Sequence, residues 1–247
     1  MKKVLQVIPC LELGGTEAYV MSHYRQLYKT IHFDFVAFSH QESVYSKEIE
    51  HLGGKVFCVG SPSLKTIFSA YKKYKQLIKA HGPYDIMHCH ADAGNALPLL
   101  IGAMCGIKRR IAHAHSVNDP PEGIIMKCVL LFRQKLITSF ATDFFACSTV
   151  AGETHFGQKR FKKKGVVCNN GICVNDFLHR DEKKIQELRK EFNINSENNL
   201  IVGNISRFDN NKNQAFILKV FQELLHTFLM QCCCWEETMV GNWRESK

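Results

Sequence analysis

Two His-x-His pairs, one Gly-Gly turn and one loop with an Arg and a Lys are the residues whose types and spacing could do chemistry in this chain. His88-Cys89-His90 and His113-Ala114-His115 each close a short apolar run. In a strand, residues two apart share a face, so each pair presents two imidazoles to one side. Such pairs can ligate a metal, contact a substrate, or be satisfied inside the fold. No carboxylate or Cys set completes a ligand group, so no metal is expected and contact with substrate is the favoured reading. Leu13-Gly14-Gly15-Thr16-Glu17 joins a first strand to a first helix. Glycines there let backbone approach a ligand, and a helix start offers free N–H groups to an anion. A tight turn alone would also use Gly-Gly, and the spacing is not the dinucleotide fingerprint G-x-G-x-x-G. Gly203 to Gln214, GNISRFDNNKNQ, follows the apolar run Leu200-Ile201-Val202. Its Arg207 fork and Lys212 point charge suit a diphosphate; the plain alternative is a surface loop with two solvated cations.

The elements that must position these groups alternate in kind. Val4–Ile8, Phe33–Phe38, Lys55–Val59, Asp85–His88, Arg110–Ala114, Phe144–Ala146 and Val166–Cys168 read as strands. Glu17–Tyr28, Tyr45–His51, Leu64–His81, Gly94–Cys105, Gly123–Phe140 and Ala151–Phe156 read as helices between them. That alternation predicts an α/β fold, a Rossmann-like parallel sheet wrapped by helices, with ligands at the carboxyl ends of its strands. Residues 1–178 form this first domain, 179–199 a charged and polar connection, and 200–247 the beginning of a second α/β unit. The cluster Lys159-Arg160 and Lys162-Lys163-Lys164 reads as a solvated loop or a binding site.

Composition narrows the partners. The chain has 247 residues, 45% hydrophobic and 22% charged, with a net charge of +9, as expected of a globular protein with an anionic partner. No nucleic-acid motif is present. No uninterrupted apolar run reaches membrane-spanning length, and the apolar start is too short for a signal peptide, so a cytoplasmic location is expected. Eleven cysteines, an odd count, argue against a complete disulfide framework; Cys58, Cys89, Cys147 and Cys168 sit in apolar runs as small hydrophobes.

Taken in order, these motifs resemble the family-4 retaining glycosyltransferases of the GT-B architecture, bacterial capsule and exopolysaccharide type. The resemblance rests on the Gly-Gly-x-Glu turn, His115-Ser116 after the fifth strand, Phe145-Ala146-Cys147-Ser148 with Ala151-Gly152, Asn169-Asn170-Gly171-Ile172 with Phe177, and the Arg207/Lys212 loop, over about residues 3–225. It implies transfer of a sugar from a nucleotide-sugar donor to a lipid-linked or oligosaccharide acceptor, with peripheral membrane contact and no metal cofactor. It implies that Arg207 and Lys212 stabilise the departing phosphate and that His115 positions the sugar. It further implies that Gly14, Gly15, Glu17, His90, His113, Asn170, Gly171 and Gly203 line the substrates. A sugar-nucleotide epimerase shares the architecture, and a non-catalytic sugar- or lipid-phosphate-binding fragment is the alternative from another class.

From about residue 226 the helical pattern dissolves into LHTFLMQCCCWEETMVGNWRESK. Cys232-Cys233-Cys234 suits neither a Rossmann strand nor a zinc spacing. Read from each third base, the codons of Met230 to Glu236 give an apolar run ending in Gly, so a shifted reading frame is expected there. On that reading the second domain is truncated, β-sheet neighbours of the Arg207/Lys212 loop are missing, and the chain as given is inactive.

Overall fold

The computed structural model describes residues 1–39, 43–117, 122–192, 194, 201–206, 212–227 and 232–236. Contacts divide the chain into two compact units, Met1–Cys173 and Val174–Lys247. The first holds strands β1 (Lys2–Ile8), β2 (Ile31–Ala37), β3 (Val56–Cys58), β4 (Ile86–Cys89), β5 (Arg109–Ala114), β6 (Asp143–Ala146) and β7 (Gly165–Val167). They form one seven-stranded sheet in the order β3-β2-β1-β4-β5-β6-β7, and every neighbouring pair is parallel. Helices α1 (Gly15–Leu27), α2 (Ser46–His51), α3 (Ile67–His81), α4 (Ala96–Met104), α5 (Ile124–Phe140), α6 (Thr149–Phe156) and α7 (Gln158–Lys164) join them. This is the α/β Rossmann-like sheet that the alternation predicts. The strand order reverses between β1 and β4, so the loops after those two strands part and leave a crevice at their carboxyl ends.

Burial on both faces explains the strand sequences. All of β1 from Val4 to Ile8 is buried, as is β2 from Phe33 to Ala37. Alternation sends Leu5, Val7, Met87, Cys89, Ala112 and Ala114 into one cluster, against Tyr74 and Leu77 of α3 and Leu99 and Ile101 of α4. It sends Val4, Ile8, Phe33 and Phe35 into the opposite cluster, against Tyr19, Val20, Met21 and Tyr24 of α1. Each fully buried large side chain contributes about 1.5–3 kcal/mol. The one buried acid of β2, Asp34, is satisfied on all sides: it accepts from Tyr84 Oη at 2.7 Å and from the Lys55 N–H at 3.0 Å. Lys3 Nζ lies 3.3 Å away and His32 Nε2 3.1 Å away. Burial raises its pKa, but Tyr84, His32 and Lys3 together hold it below the ordinary carboxylate value.

Two local readings need correction, and the charged connection gains an element. The Lys159–Lys164 cluster is helix α7, not a loop; Phe161 turns inward among the cations and packs against Gly152 and Gly165. The charged stretch after residue 179 contains helix α9 (Glu182–Glu191), started by the Asp181 carboxylate accepting the Lys184 N–H at 3.1 Å, a side-chain cap of the usual kind. Cys58 is exposed, whereas Cys89 is fully buried.

The second unit holds α8 (Asn175–Leu178), α9, β8 (Ile201–Ile205), α10 (Gln214–Thr227) and β9 (Cys232–Glu236). The Cys triplet is a strand after all: β9 pairs parallel with β8, Ile201 opposite Cys232 and Ile205 opposite Glu236. Strand pairing is a main-chain property, so an unusual composition does not prevent it. β8 therefore has a sheet neighbour. Among the described residues, no helix is long and apolar enough to cross a membrane.

Candidate functional site

The carboxyl ends of β4 and β5 bring four histidines together across one strand seam. β4 and β5 run in parallel with His88 opposite Ile111 and Cys89 opposite Ala112, so His90 falls beside His113. His88 Nε2 is 3.1 Å from His113 Nδ1, and His90 Nδ1 is 2.8 Å from His115 Nε2. The rings of His113 and His115 stack with centroids 4.1 Å apart. From β1, Gln6 completes the row: its Oε1 lies 2.8 Å from His90 Nε2. An amide oxygen only accepts, so His90 carries its proton on Nε2, and its Nδ1 accepts from the His115 Nε2–H. The remaining nitrogen of His115, Nδ1, is then a lone-pair acceptor.

Burial sets the charge state. His113 is fully buried and His90 nearly so. Desolvation, followed by the neighbouring imidazoles, pushes the pKa of His88 down to about 3 and that of His113 to about 2, and pushes His90 well below its ordinary value. Burial lowers His115 to about 4, against a smaller upward pull from Asp92. At neutral pH the cluster is four uncharged imidazoles. It can donate and accept hydrogen bonds at a polar ligand but does not supply positive charge to a phosphate. The nitrogens of His88, His90 and His113 lie within 4.8 Å of one another, and His113 Nε2 is buried without a partner among the described residues. Three imidazoles at that spacing could bridge a borderline metal ion, which the sequence pattern, lacking a nearby carboxylate or Cys set, does not suggest.

The loop after β4 holds the loop after β5. A 3-10 turn at Asp92–Asn95 opens on Asp92, whose backbone has a left-handed φ of 49°. Its carboxylate accepts from the His115 N–H and from Ser116 Oγ, each at 2.7 Å. Asn95, fully buried, donates to the His113 carbonyl at 3.1 Å and accepts from the Ala91 N–H at 2.7 Å. From α6, His155 Nε2 donates to the Ser116 carbonyl at 3.1 Å. Cys147 Sγ lies 3.3 Å from the His115 carbonyl oxygen. His115 is thus fixed by its main chain on both sides and by His90 at its ring.

Helix α1 closes the other wall. Its Tyr19 ring meets His113 and His115 edge-on, at centroid distances of 5.2 and 5.4 Å, and burial raises the Tyr19 hydroxyl to about 12. Gly14 caps α1 in extended conformation; a Cβ there would collide with the Glu17 carboxylate, which folds back over it. Glu17 is buried and takes a hydrogen bond from Cys10 Sγ at 3.3 Å. The first turn of α1 is therefore partly occupied by the protein's own anion, which is favourable there. Gly15 has nothing within 4 Å of where its Cβ would stand, so the space beside its backbone is open.

No protein-family model matches the chain. Among curated proteins it is 31% identical over 227 residues to the Bacillus subtilis (strain 168) protein named "Putative glycosyltransferase EpsF", an alignment covering 90% of this chain and 58% of that protein. The chain thus spans somewhat over half the length of that relative. Among solved structures, Anabaena Alr3699/HepE in complex with UDP-glucose is similar with a TM-score of 0.69 at 15% identity, over 97% of this chain and 70% of that one. UDP-GlcNAc 2-epimerase from Neisseria meningitidis, bound to UDP-GlcNAc, follows the same course with a TM-score of 0.56 at 14% identity, over 96% and 66%. At such identities the likeness establishes the fold, the Rossmann-like plan of the GT-B proteins.

Of the residues singled out by sequence, the structure brings Gly14, Gly15 and Glu17 to the carboxyl-end rim of the sheet, together with His90, His113 and His115. Asn170 and Gly171 are exposed in the stretch after β7, two strands out from β5. Gly203 lies within β8, and Lys212 is exposed just before α10; both belong to the second unit. Arg207 lies outside the described residues. Sequence reading missed Gln6, Tyr19, Asp92, Asn95 and His155. Gln6 had a signal, being the one polar residue inside a five-residue apolar run, where burial demands a partner. Asp92 and Asn95 stand in a strand-to-helix loop, where such residues commonly bond neighbouring backbone.

Proposed function

We propose that this chain carries the acceptor-side domain and part of the donor side of a retaining glycosyltransferase. It would move a sugar from a nucleotide sugar to a lipid-linked or oligosaccharide acceptor in cell-surface polysaccharide synthesis. The observation that carries this reading is the uncharged histidine cluster at the crevice beside β1 and β4. It leaves His115 Nδ1 as an acceptor on the same carboxyl-end rim as the open backbone of Gly15. A neutral imidazole held on three sides suits a sugar hydroxyl, which needs orientation rather than charge. The similarity to EpsF supports the reaction class. The UDP-glucose held by the HepE structure supports the donor class.

In this reading Arg207 and Lys212 hold the diphosphate and stabilise charge on the departing phosphate. The cluster, in this reading, works without a metal, because His90 at its centre commits both ring nitrogens, to His115 and to Gln6. The test is titration of the chain with UDP-glucose and UDP-GlcNAc by calorimetry. Saturable binding is expected, weakened about tenfold by His115→Ala, the scale of one hydrogen bond, and unchanged by a chelator. Loss of binding with chelator would assign a metal instead. Binding that His115→Ala leaves intact would remove the histidine cluster from the site. Conversion of UDP-GlcNAc to its 2-epimer without an acceptor would favour the epimerase reading over transfer.

A further inference from the structure

β6 and β7 each run out into a cysteine, and the sheet sets the two side by side. Phe144 stands opposite Gly165, Phe145 opposite Val166 and Ala146 opposite Val167, so the next step sets Cys147 opposite Cys168. The ladder continues through that step. The Cys168 N–H donates to the Ala146 carbonyl at 2.8 Å, and the Cys147 N–H donates to the Ala114 carbonyl of β5 at 2.9 Å. Neighbouring strands lie about 4.8 Å apart, within the Cα separation that a disulfide spans. The two side chains also share a face. Phe145 meets the rings of His88 and His113 edge-on, and two residues along a strand the side chain returns to the same face. For β6 that residue is Cys147, and for β7, counted from Val166, it is Cys168. Tyr19 of α1 packs on this face against His113, and both thiols bear on its hydroxyl.

Both cysteines are free and half-buried, so a small reagent can reach them, whereas Cys89 is fully buried on the other side of the sheet. β7 is a three-residue edge strand whose two valines are exposed. A short edge of that kind yields more readily than a central strand to the dihedral a disulfide demands. The pair also touches the histidine cluster, because the Cys147 thiol donates to the His115 carbonyl at 3.3 Å. A bond from Cys147 Sγ to Cys168 Sγ removes that donor.

We infer that Cys147 and Cys168 form a thiol–disulfide exchange site for low-molecular-weight disulfides, and that its closure releases the His115 carbonyl. One protein thiolate attacks a sulfur of the small disulfide, expels one small thiolate and leaves a mixed disulfide. The neighbouring thiolate then attacks the protein sulfur of that mixed disulfide and expels the second. Two protein thiols and one small disulfide become one protein disulfide and two small thiols, the two protons passing to the departing thiolates. This site stands whether or not the chain transfers a sugar. For the test, the full chain is equilibrated with glutathione at a series of oxidised-to-reduced ratios. Free thiols are then blocked by alkylation and peptides mapped by mass spectrometry. A peptide joining Cys147 to Cys168 is expected as the main joined product, reversed by dithiothreitol and lost entirely in Cys147→Ser or Cys168→Ser. Circular dichroism of both variants should match wild type, since both sites are half-buried and serine keeps a donor for the His115 carbonyl. In NMR, oxidation should shift the His115 amide and imidazole signals in wild type and leave them in place in Cys147→Ser. Exposed Cys58 and Cys128 report whether the oxidant acts. Glutathione on those two with Cys147 and Cys168 unjoined, or either one joined to Cys173 instead, would overturn the site. A joined pair with unmoved His115 signals would overturn its coupling to the histidine.

Discussion

At the scale of single residues, Asp92 sets the position of His115 without touching its ring. Its carboxylate takes the His115 N–H and the Ser116 hydroxyl from a backbone held at φ 49°, a region that Asp and Asn tolerate better than most residues. Asp92→Asn keeps that tolerance and removes the charge, replacing one acceptor oxygen by a donor amide. It should cost about 1–2 kcal/mol of stability and shift the His115 imidazole signals in NMR. A melting temperature and spectrum like wild type would show that the contact does not position the histidine. Tyr74 points the other way. It is fully buried, and its hydroxyl has no partner among the described residues, so it bears a desolvation cost with no return. Tyr74→Phe should leave stability unchanged or raise it by about 1 kcal/mol; a loss above that in urea unfolding would mean that the hydroxyl is bonded in solution.

At the scale of elements, the seven strands of the first unit were legible as short apolar runs, the inner ones because parallel strands buried on both faces read as continuous apolar sequence; the edge strands β3 and β7 kept apolar residues although partly exposed. Their ends moved by a few residues at most: the first run read as Val4–Ile8 begins at Lys2, and the sixth, read from Phe144, begins at Asp143. What stayed hidden was structure held by few residues. Helix α7 has a sequence of Lys and Arg broken by one Phe, QKRFKKK, which looks like a solvated run until Phe161 is seen against α6. The pairing of β9 with β8 was hidden because main-chain ladders leave little mark on composition. Among site residues, the histidine pairs announced themselves through spacing, whereas Asn95 and His155 depend on loops folding back over long sequence distances. The α6–α7 contact gives a prediction of its own. A Cβ at Gly152 would enter the Phe161 ring, and Phe161 is nearly fully buried, so the ring cannot swing away. Gly152→Ala should destabilise by about 1–3 kcal/mol, the usual cost of overpacking, and Gly152→Ala/Phe161→Leu should recover part of it in thermal melts.

At the scale of the whole molecule, the histidine cluster couples the fold to pH. In the unfolded chain an imidazole takes up a proton as pH falls through about 6.5; in the folded chain His115 resists until about 4, His88 until about 3 and His113 until about 2. Between those values the unfolded state binds more protons. The stability from neutral imidazoles is therefore complete above pH 6.5 and is lost as pH drops below it, by up to about 1.4 kcal/mol per pH unit for each histidine. Asp34, whose pKa is lowered by its partners, acts in a lower window, beneath the ordinary carboxylate value. Denaturant unfolding at pH 7.5, 6.0 and 5.0 should show a steep fall that His88→Gln/His113→Gln makes shallower, whatever that variant does at pH 7.5; a flat wild-type profile would contradict the buried neutral cluster. The same seam has a kinetic side. β4 and β5 sit at the centre of the sheet, and their amides should exchange with deuterium last at neutral pH. Each proton forced onto an imidazole there opposes the packing of the two strands, so below pH 5 the centre of this sheet should become one of the first places in the first unit to open, and the order of exchange along that unit should invert.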